Sequence, residues 1–399
     1  MRRLRLASTR RLLALLGAVV LVVAAGSAIA VSAFGGGAQS PPAVPLPQAI
    51  RDALTRPPVT GLTARITFSN HLIDAAGLDG GNPILTGATG RLWLSADGRA
   101  RVELQSRYGD AQLVWDRGRA WLFDGASNTL YRGTFDLRGR RHRAHERGVP
   151  SIARIARVLA RVARHADVSG ALPGVIADRP AYSVRVSPRR DGGLVGGALL
   201  AWDAARGVPL RAAIFARGSS TPVLELTATQ ISYAPVAASV FAPLAPAGAH
   251  IVDVRAPAAT RGRTLHGAHR RVRPIRGLAA VARGLPFKVS APATLAGLRR
   301  AGVRGLRVRG SAGALVAYGH GLGGIVVLER RASRPPAARP GRHGHRSQLE
   351  LKHVAVGGVT GQELPTALGT LVRFERAGVS YTVIGSVPPA VAEAAARGL

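Results

Sequence analysis

Residues 90–133 hold a series of short apolar runs separated by turn residues, and this pattern constrains the fold more than any other. Apolar and polar side chains alternate within each run, which is typical of strands joined by tight turns in an antiparallel meander. The turns are predicted at Asp97-Gly98, Gly109-Asp110, Arg117-Gly118 and Asp124-Gly125. The polar face would carry Arg91, Arg101, Glu103, Gln105, Gln112 and Asp116. We therefore expect the apolar face to be covered and the polar face to contact water.

The N-terminal residues predict export. Residues 1–11 carry five arginines and form a basic cytoplasmic n-region, whereas residues 12–34 carry no charge and are long enough to cross a bilayer. The basic flank places the N terminus in the cytoplasm and the bulk of the chain outside it, anchored to the cell membrane or secreted. Because Ala28-Ile29-Ala30 resembles a signal peptidase site, both a cleaved signal peptide and a retained transmembrane signal anchor stay open.

The remaining chain divides into two predicted units. Residues 35–47 form an uncharged Gly/Pro linker, and residues 48–250 alternate between strand and helix patterns that predict one antiparallel sheet with helices on one side. Residues 251–285 are an arginine-rich linker, and residues 286–399 form a smaller C-terminal unit. In the first unit, helices are predicted at 48–55 and 151–166 and strands at 62–73, 181–186, 198–202, 209–216 and 223–231. In the second unit, strands are predicted at 304–309, 314–318, 325–330, 349–356, 370–376 and 379–385 and a helix at 389–399.

The clearest helical pattern runs from Ser151, a candidate N-cap, to Ala166. One side carries Ile152, Ile155, Val158, Leu159 and Val162, and the other carries Arg154, Arg157, Arg161 and Arg164. Such a helix is amphipathic and basic. It fits a surface helix laid on the sheet, and it also fits a helix that contacts an anionic membrane, where each basic residue adds about 1 kcal/mol of binding.

The net charge of +34 bears on partners. Lysine occurs only at Lys288 and Lys352, so the excess is almost wholly arginine and is scattered over every segment. A cationic surface attracts an anionic membrane surface. Export, the scattered charge and an aromatic content of 5% argue against nucleic acid as a partner. Without cysteine the chain has no disulfide framework and no lipidation site behind the apolar segment.

Motifs for chemistry are weak. The segment GHGLGG at 319–324 matches a dinucleotide-binding pattern, but the run IVVL that follows predicts a strand instead of the required helix, so we expect a hairpin turn. The close histidine pairs lie in arginine-rich loops that oppose cation binding. These pairs are His142 and His145 (beside Glu146), His266 and His269, and His343 and His345. With no nucleophile motif either, we expect a non-enzymatic protein with no cofactor and no metal site.

Residues 48–250 resemble a known superfamily. The segments GRLWLSADGRARVEL, QLVWDRGRAWLFDGASNTLYR and GVPLRAAIFA, followed by PVLELTATQISY, are similar to the LolA-like superfamily of outer-membrane lipoprotein carriers, and within it to RseB/MucB-like sigma-E regulatory proteins. The segments LVAYGHGLGGIVVLERR and VRFERAGVSYTVIGSV resemble the C-terminal domain of the two-domain actinobacterial form. The resemblance implies an α+β fold, namely a curved antiparallel half-barrel sheet covered by helices and followed by a smaller α+β domain.

The resemblance also implies partners and a site. The half-barrel would hold acyl chains of lipids or lipoproteins in an apolar cavity; alternatively, the protein would regulate an envelope stress response through an anti-sigma factor. The candidate lipid-binding residues are Ile66, Phe68, Leu92, Leu94, Val102, Leu104, Leu113, Trp115, Trp121, Phe123, Leu224 and Leu226. The same side chains could instead fill an ordinary core, since a cavity differs from a core only in being left partly unfilled.

Overall fold

The computed structural model describes residues 39–73, 83–107, 109–134, 151–190, 192–243, 245–255, 275–308, 311–332 and 351–399. The predicted n-region, the apolar segment 12–34 and the three histidine pairs lie outside these residues. Within the described part of the chain, no helix is long and apolar enough to span a bilayer.

Helices are few and short, and two of them pack together against the large sheet. The α-helices are α1 (Leu46–Thr55), α2 (Pro83–Thr86), α3 (Ile152–Val162), α4 (Leu278–Arg283) and α5 (Pro389–Arg397). A 3-10 helix covers Ala238–Phe241. The predicted helix at 151–166 is confirmed in a shorter form, and the Ser151 hydroxyl caps it by accepting a hydrogen bond from the Arg154 N–H at 3.3 Å.

Strands make up most of the fold, in two sheets. The large sheet contains β1 (Gly61–Asn70), β2 (Ala88–Ser95), β3 (Ala100–Ser106), β4 (Gly109–Asp116), β5 (Arg119–Asp124), β6 (Thr129–Thr134), β7 (Ala166–Val168), β8 (Leu172–Ile176), β9 (Arg179–Pro188), β10 (Val195–Asp203), β11 (Pro209–Ala216), β12 (Pro222–Ser232) and β13 (His250–Arg255). The small sheet contains β14 (Thr294–Leu295), β15 (Leu298–Val308), β16 (Ser311–Tyr318), β17 (Ile325–Arg331), β18 (Lys352–Val356), β19 (Val359–Thr366), β20 (Gly369–Arg376) and β21 (Val379–Gly385).

The large sheet has thirteen strands in the order β13-β6-β5-β4-β3-β2-β1-β12-β11-β10-β9-β7, with β8 also paired to β9. It is curled into a half-barrel, which confirms the predicted α+β fold class. Gly90 permits β2 to lie close to β3, because a Cβ at this position would lie 1.9 Å from the Glu103 carbonyl oxygen. The pairing of β13 with β6 is parallel, so the sheet departs from the purely antiparallel prediction at this edge.

The small sheet has eight strands in the order β14-β15-β16-β17-β21-β20-β19-β18, and α5 closes it. The glycine-rich segment at 319–324 joins β16 to β17, and Tyr318 pairs directly with Ile325. Gly319 and Gly321 take positive φ angles of 71° and 65° there. The predicted hairpin turn is therefore confirmed.

Both predicted linkers are partly structured, which corrects the sequence prediction. At the first linker, helix α1 begins at Leu46, which is buried, and Val44 packs in the same cluster, because both side chains have apolar partners on the large sheet. At the second, β13 extends the large sheet to Arg255, while α4 places Val281 in the core of the small unit. Local arginine content concealed these elements, since their apolar partners lie far away in sequence.

Candidate functional site

The apolar face of the large sheet, here called the core face, is built by strand register. Between β1 and β2, the directly paired residues are Leu62 and Leu94, Ala64 and Leu92, and Ile66 and Gly90. Between β2 and β3, Leu92 pairs with Val102 and Gly90 pairs with Leu104. Directly paired residues project to the same side of a sheet, so these side chains form one apolar layer. Val59 and Ile84 pack onto this layer.

Five predicted lining residues on the core face are fully packed. Ile66, Leu92, Leu94, Val102 and Leu104 are 3%, 6%, 7%, 7% and 3% exposed and belong to one buried cluster. Burial of this kind is characteristic of a filled core. These residues therefore belong to the filled core of the large sheet. A charge introduced at any of these positions would first destabilise the fold.

Seven other apolar residues of the core face are not buried, and they form a continuous band. Phe68 pairs with Leu226, Leu226 with Ala212 and Ala212 with Leu200, while Leu224 pairs with Ile214 and Ile214 with Ala198. We call this band the apolar strip; it comprises Phe68, Leu224, Leu226, Ala212, Ile214, Ala198 and Leu200.

The apolar strip joins two buried clusters. Phe68 and Leu226 pack against the cluster of β1–β5, and Leu200 packs against a second cluster that contains Tyr182, Trp202 and Leu46. Helices α1 and α3 contribute to the second cluster through Ala49 and Leu159. The strip thus crosses β1, β12, β11 and β10 between the two filled regions.

Leu113 and Trp115 lie on the core face of β4 and are half-buried. Leu113 pairs with Val102 and with Leu122, and Trp115 pairs with Ala100. They are on the predicted face, at the β4 side of the buried cluster and away from the apolar strip.

Trp121 and Phe123 lie on the opposite face, which corrects their predicted place in the lining. The two-residue turn at Arg117 and Gly118 pairs Trp121 with Val114 and Phe123 with Gln112. Across a two-residue turn, the odd-numbered residues of one strand pair with even-numbered residues of the next. The sequence prediction instead placed the odd-numbered residues of β4 and β5 on one face. Val114 is 1% exposed there, and the 3-10 helix packs against β3 and β4 on this side, where Arg101 donates to the Val240 carbonyl at 2.7 Å.

A polar cavity of about 580 Å³ also lies on the opposite face. Arg65 and Arg91 occupy directly paired positions in it, and Thr67, Thr89 and Thr229 supply hydroxyl groups. Glu103, which also lines the cavity, accepts hydrogen bonds from Arg101 at 2.9 Å and Gln112 at 3.0 Å. This cavity suits small polar or anionic molecules and is unsuited to hydrocarbon.

A second cavity, of about 180 Å³, lies beside the edge strand β8. Leu172, Val175, Leu199 and Ala201 give it an apolar lining, and Arg211 closes it while donating a hydrogen bond to Glu225 at 2.5 Å. Its volume is below that of most small-molecule sites, which run from about 300 Å³ upward.

Polar groups fix the turn after β10. The Tyr233 hydroxyl donates to the Asp203 carboxylate at 2.7 Å, and the other carboxylate oxygen accepts from the N–H groups of Ala205 and Arg206 at 2.8 Å. Burial and the Asp203 charge raise the pKa of Tyr233 far above its usual value. The Tyr233 hydroxyl therefore stays protonated at physiological pH, and its hydrogen bond to Asp203 stabilises the turn after β10.

Groups for metal binding are sparse. In the portions of the chain that the structure describes, no three His, Cys, Asp or Glu side chains are grouped closely enough to hold a metal ion.

Comparison with known proteins gives structural neighbours only. No protein-family model matches the chain, and no curated protein matches it. The fold is similar to that of MucB. The crystal structure of MucB in complex with MucA(peri) is 17% identical with a TM-score of 0.38, over 88% of this chain and 94% of that one. The MucA/MucB complex of Pseudomonas aeruginosa is 18% identical with the same TM-score and coverage.

A LolA superfamily protein from Nitrosomonas europaea also matches. It is 12% identical with a TM-score of 0.21, over 50% of this chain and 99% of that chain. These likenesses concern the fold alone.

Sequence reasoning missed four members of the apolar strip, namely Ala198, Leu200, Ala212 and Ile214. The alternation ALLAW in β10 and LRAAIF in β11 carries the signal, since residues two apart share a face. Because the meander pattern was the clearest, the sequence prediction placed most of the lining on β2–β5, where the side chains form a packed core.

Proposed function

We propose that this chain is an extracytoplasmic, non-enzymatic protein that binds acyl chains of lipids or lipoproteins on the core face of its large sheet. The observation that supports this function is the apolar strip. Its seven apolar side chains form a continuous surface across four strands and stay partly exposed beside two filled clusters. A soluble domain with no apolar ligand gains stability by covering such a surface.

The dimensions of the apolar strip fit a hydrocarbon tail. Neighbouring strands are about 4.8 Å apart, so the strip from β1 to β10 spans roughly 14 Å between strand axes. Each buried methylene contributes about 0.8 kcal/mol, so about ten methylenes would supply about 8 kcal/mol, which corresponds to micromolar affinity. Phe68, Leu224 and Leu226 are the predicted lining residues that contribute to this surface.

Lipid retention by the purified full chain tests this proposal. Native mass spectrometry should show co-purifying lipid, and the double variant Leu226→Gln with Ile214→Gln should lose most of it, because two polar amides would interrupt the strip. Ile251→Gln is the matched control, since Ile251 is an apolar side chain of β13 that is 51% exposed. Far-UV circular dichroism establishes that each variant is folded. Equal retention by the double variant and the control would refute the assignment.

A second function, regulation through an anti-sigma factor, is favoured by contacts between the two sheets. The Ala367 N–H donates to the Leu72 carbonyl at 2.9 Å, and the Leu194 N–H donates to the Ser386 carbonyl at 2.9 Å. Leu72 lies four residues after Phe68, and Leu194 lies four residues before Ala198, so two ends of the apolar strip lead directly to the small unit. A ligand on the strip could then alter how the small unit binds a partner.

Gly193→Ala separates this function from lipid binding. Gly193 has a φ of 60°, and a Cβ there would lie 1.9 Å from the Ser386 carbonyl oxygen, so the substitution displaces this contact. If the regulatory function holds, the variant retains lipid and loses a co-purifying membrane-embedded anti-sigma factor. Retention of both would dismiss the coupling.

A further inference from the structure

Helix α3 exposes an apolar ridge that its packing leaves uncovered by the described residues. Ile155 is 7% exposed and faces the protein, whereas Val158 is 50% and Val162 is 38% exposed. Arg154, Val158 and Val162 are four residues apart and therefore lie along one line of the helix surface. Ile152, at the start of the helix, is 44% exposed as well.

The rest of the exposed surface of α3 is cationic. Arg154, Arg157 and Arg161 of the helix and Arg164 just after it are all exposed, and none of them forms an ion pair with a described residue. Arg157 and Arg161 are four residues apart, and like charges at this spacing repel each other across a helix turn. The 16 residues before Ser151 add five more arginines against one aspartate and one glutamate. This charge destabilises the isolated helix and would be relieved by a dense anionic surface.

The chain that leads from the apolar segment 12–34 returns to the protein beside α3. The Tyr182 hydroxyl donates to the Pro42 carbonyl at 2.6 Å, and Val44 and Leu46 pack in the same cluster as Leu159 of α3. Pro42 is eight positions after Phe34, and a fully extended chain of eight Cα-to-Cα steps reaches at most about 29 Å. Any bilayer that holds residues 12–34 therefore lies within this distance of the attachment point next to α3.

We propose that α3 lies on the anionic surface of the bilayer that holds residues 12–34, with Val158 and Val162 in the headgroup layer and the four arginines against lipid phosphates. Exposed apolar residues flanked by arginines are the composition that interfacial helices use. The tether places the helix at the membrane and the charge selects anionic lipid. This surface is distinct from the apolar strip, so the membrane contact and acyl-chain binding can succeed or fail separately.

Site-specific fluorescence on the full chain tests this docking. The chain has no cysteine, so Val158→Cys creates a unique labelling position for an environment-sensitive fluorophore. The labelled chain is reconstituted into vesicles of phosphatidylcholine alone or of phosphatidylcholine with phosphatidylglycerol. We expect emission at Val158→Cys to shift to shorter wavelength and to become quenched by lipid-attached nitroxide only when phosphatidylglycerol is present.

Two controls complete the experiment. Leu322→Cys labels a side chain of the small unit that is 56% exposed, and its emission should not change with lipid composition. Adding Arg157→Gln and Arg161→Gln to Val158→Cys should abolish the shift, because two of the four arginines in and just after α3 lose their charge. Emission at Val158→Cys that stays water-like in both vesicles would overturn the proposal. Emission that is shielded from water in both vesicles and in detergent would overturn it too, by showing that another part of the chain covers the ridge.

Discussion

In the small sheet the apolar side chains form one cluster, whereas on the core face of the large sheet they form two clusters joined by a partly exposed strip. Val316, Val327, Val372 and Val383 of the small sheet are 0% exposed, and the alanines of α5 let that helix approach closely. The small unit is thus sealed by its own helix. Among the residues that the structure describes, no helix seals the large sheet in the same way.

The width of the large sheet explains why its apolar face is less completely covered than that of the small sheet. Twelve strands in succession span roughly 50 Å, whereas a helix with its side chains is about 10–12 Å across. Helices α1 and α3 pack side by side near β9 and β10, so they cover only one end of the core face. In the described part of the chain, the wide curled sheet with its few helices therefore leaves apolar surface partly exposed, whereas the narrow sheet forms a single packed cluster.

The largest expected effect compares one phenylalanine from each sheet. Phe374 is 2% exposed and stacks on Tyr381 with ring centroids 4.9 Å apart, so Phe374→Ala should cost about 3–5 kcal/mol of unfolding free energy. Phe68 on the apolar strip is partly exposed, and Phe68→Ala should cost about 1–2 kcal/mol.

The two sheets can be followed separately in that experiment. All four tryptophans, Trp93, Trp115, Trp121 and Trp202, lie in the large sheet. In urea titrations Phe374→Ala should move the circular dichroism transition of the small sheet and leave the tryptophan transition in place. Equal costs at the two positions would remove the contrast between a sealed core and an open strip.

The second prediction concerns a carboxyl group inside the sealed core. Glu329 is 0% exposed, and one of its oxygens accepts a hydrogen bond from the Ser290 N–H at 2.9 Å. Burial raises the pKa of Glu329 from 4.5 to about 7. The folded state therefore binds the proton more tightly than the unfolded state, and this contribution is complete below pH 4.5 and is lost as the pH rises to 7.

The expected size of this effect is about 3 kcal/mol, from the conversion of the pKa difference to free energy. Stability of the small unit should fall between pH 5 and pH 8, and Glu329→Gln should flatten that dependence and be the more stable protein at pH 8. Urea titrations followed by circular dichroism at several pH values give the comparison. A dependence that is unchanged in Glu329→Gln would mean that another group titrates.

Much of this architecture follows from the sequence, for identifiable reasons. The bounds of β11 and β21 agree with prediction because each is an apolar run between turn residues. The partially exposed apolar strip could not be predicted, because exposure depends on how far a helix reaches across the sheet. The predicted face of Trp121 was wrong because the length of the turn between β4 and β5 sets the register of these strands. Strand β13 was missed because its partner β6 lies more than a hundred residues earlier in the chain.

The smallest expected effect lies at the covered end of the large sheet. Tyr182 packs near Trp202 with ring centroids 6.2 Å apart, and Tyr182→Phe keeps this packing while it removes the hydrogen bond to Pro42. Because Pro42 is exposed, water can replace the lost donor, and we expect a stability cost of about 1 kcal/mol or less. The tether from residue 34 would then be fixed only at Val44 and beyond.

Tyr182→Phe also tests whether the covered end of the large sheet is held near the membrane. Loosening the tether should weaken the lipid-dependent emission shift at Val158→Cys without affecting lipid retention on the apolar strip. Tyr233→Phe is the control, since it removes a hydrogen bond of 2.7 Å to Asp203 away from Pro42. It should lower stability more and leave the emission shift intact, because Asp203 is buried and water cannot replace the lost donor. If both variants weaken the shift equally, general stability rather than the tether controls the position of α3.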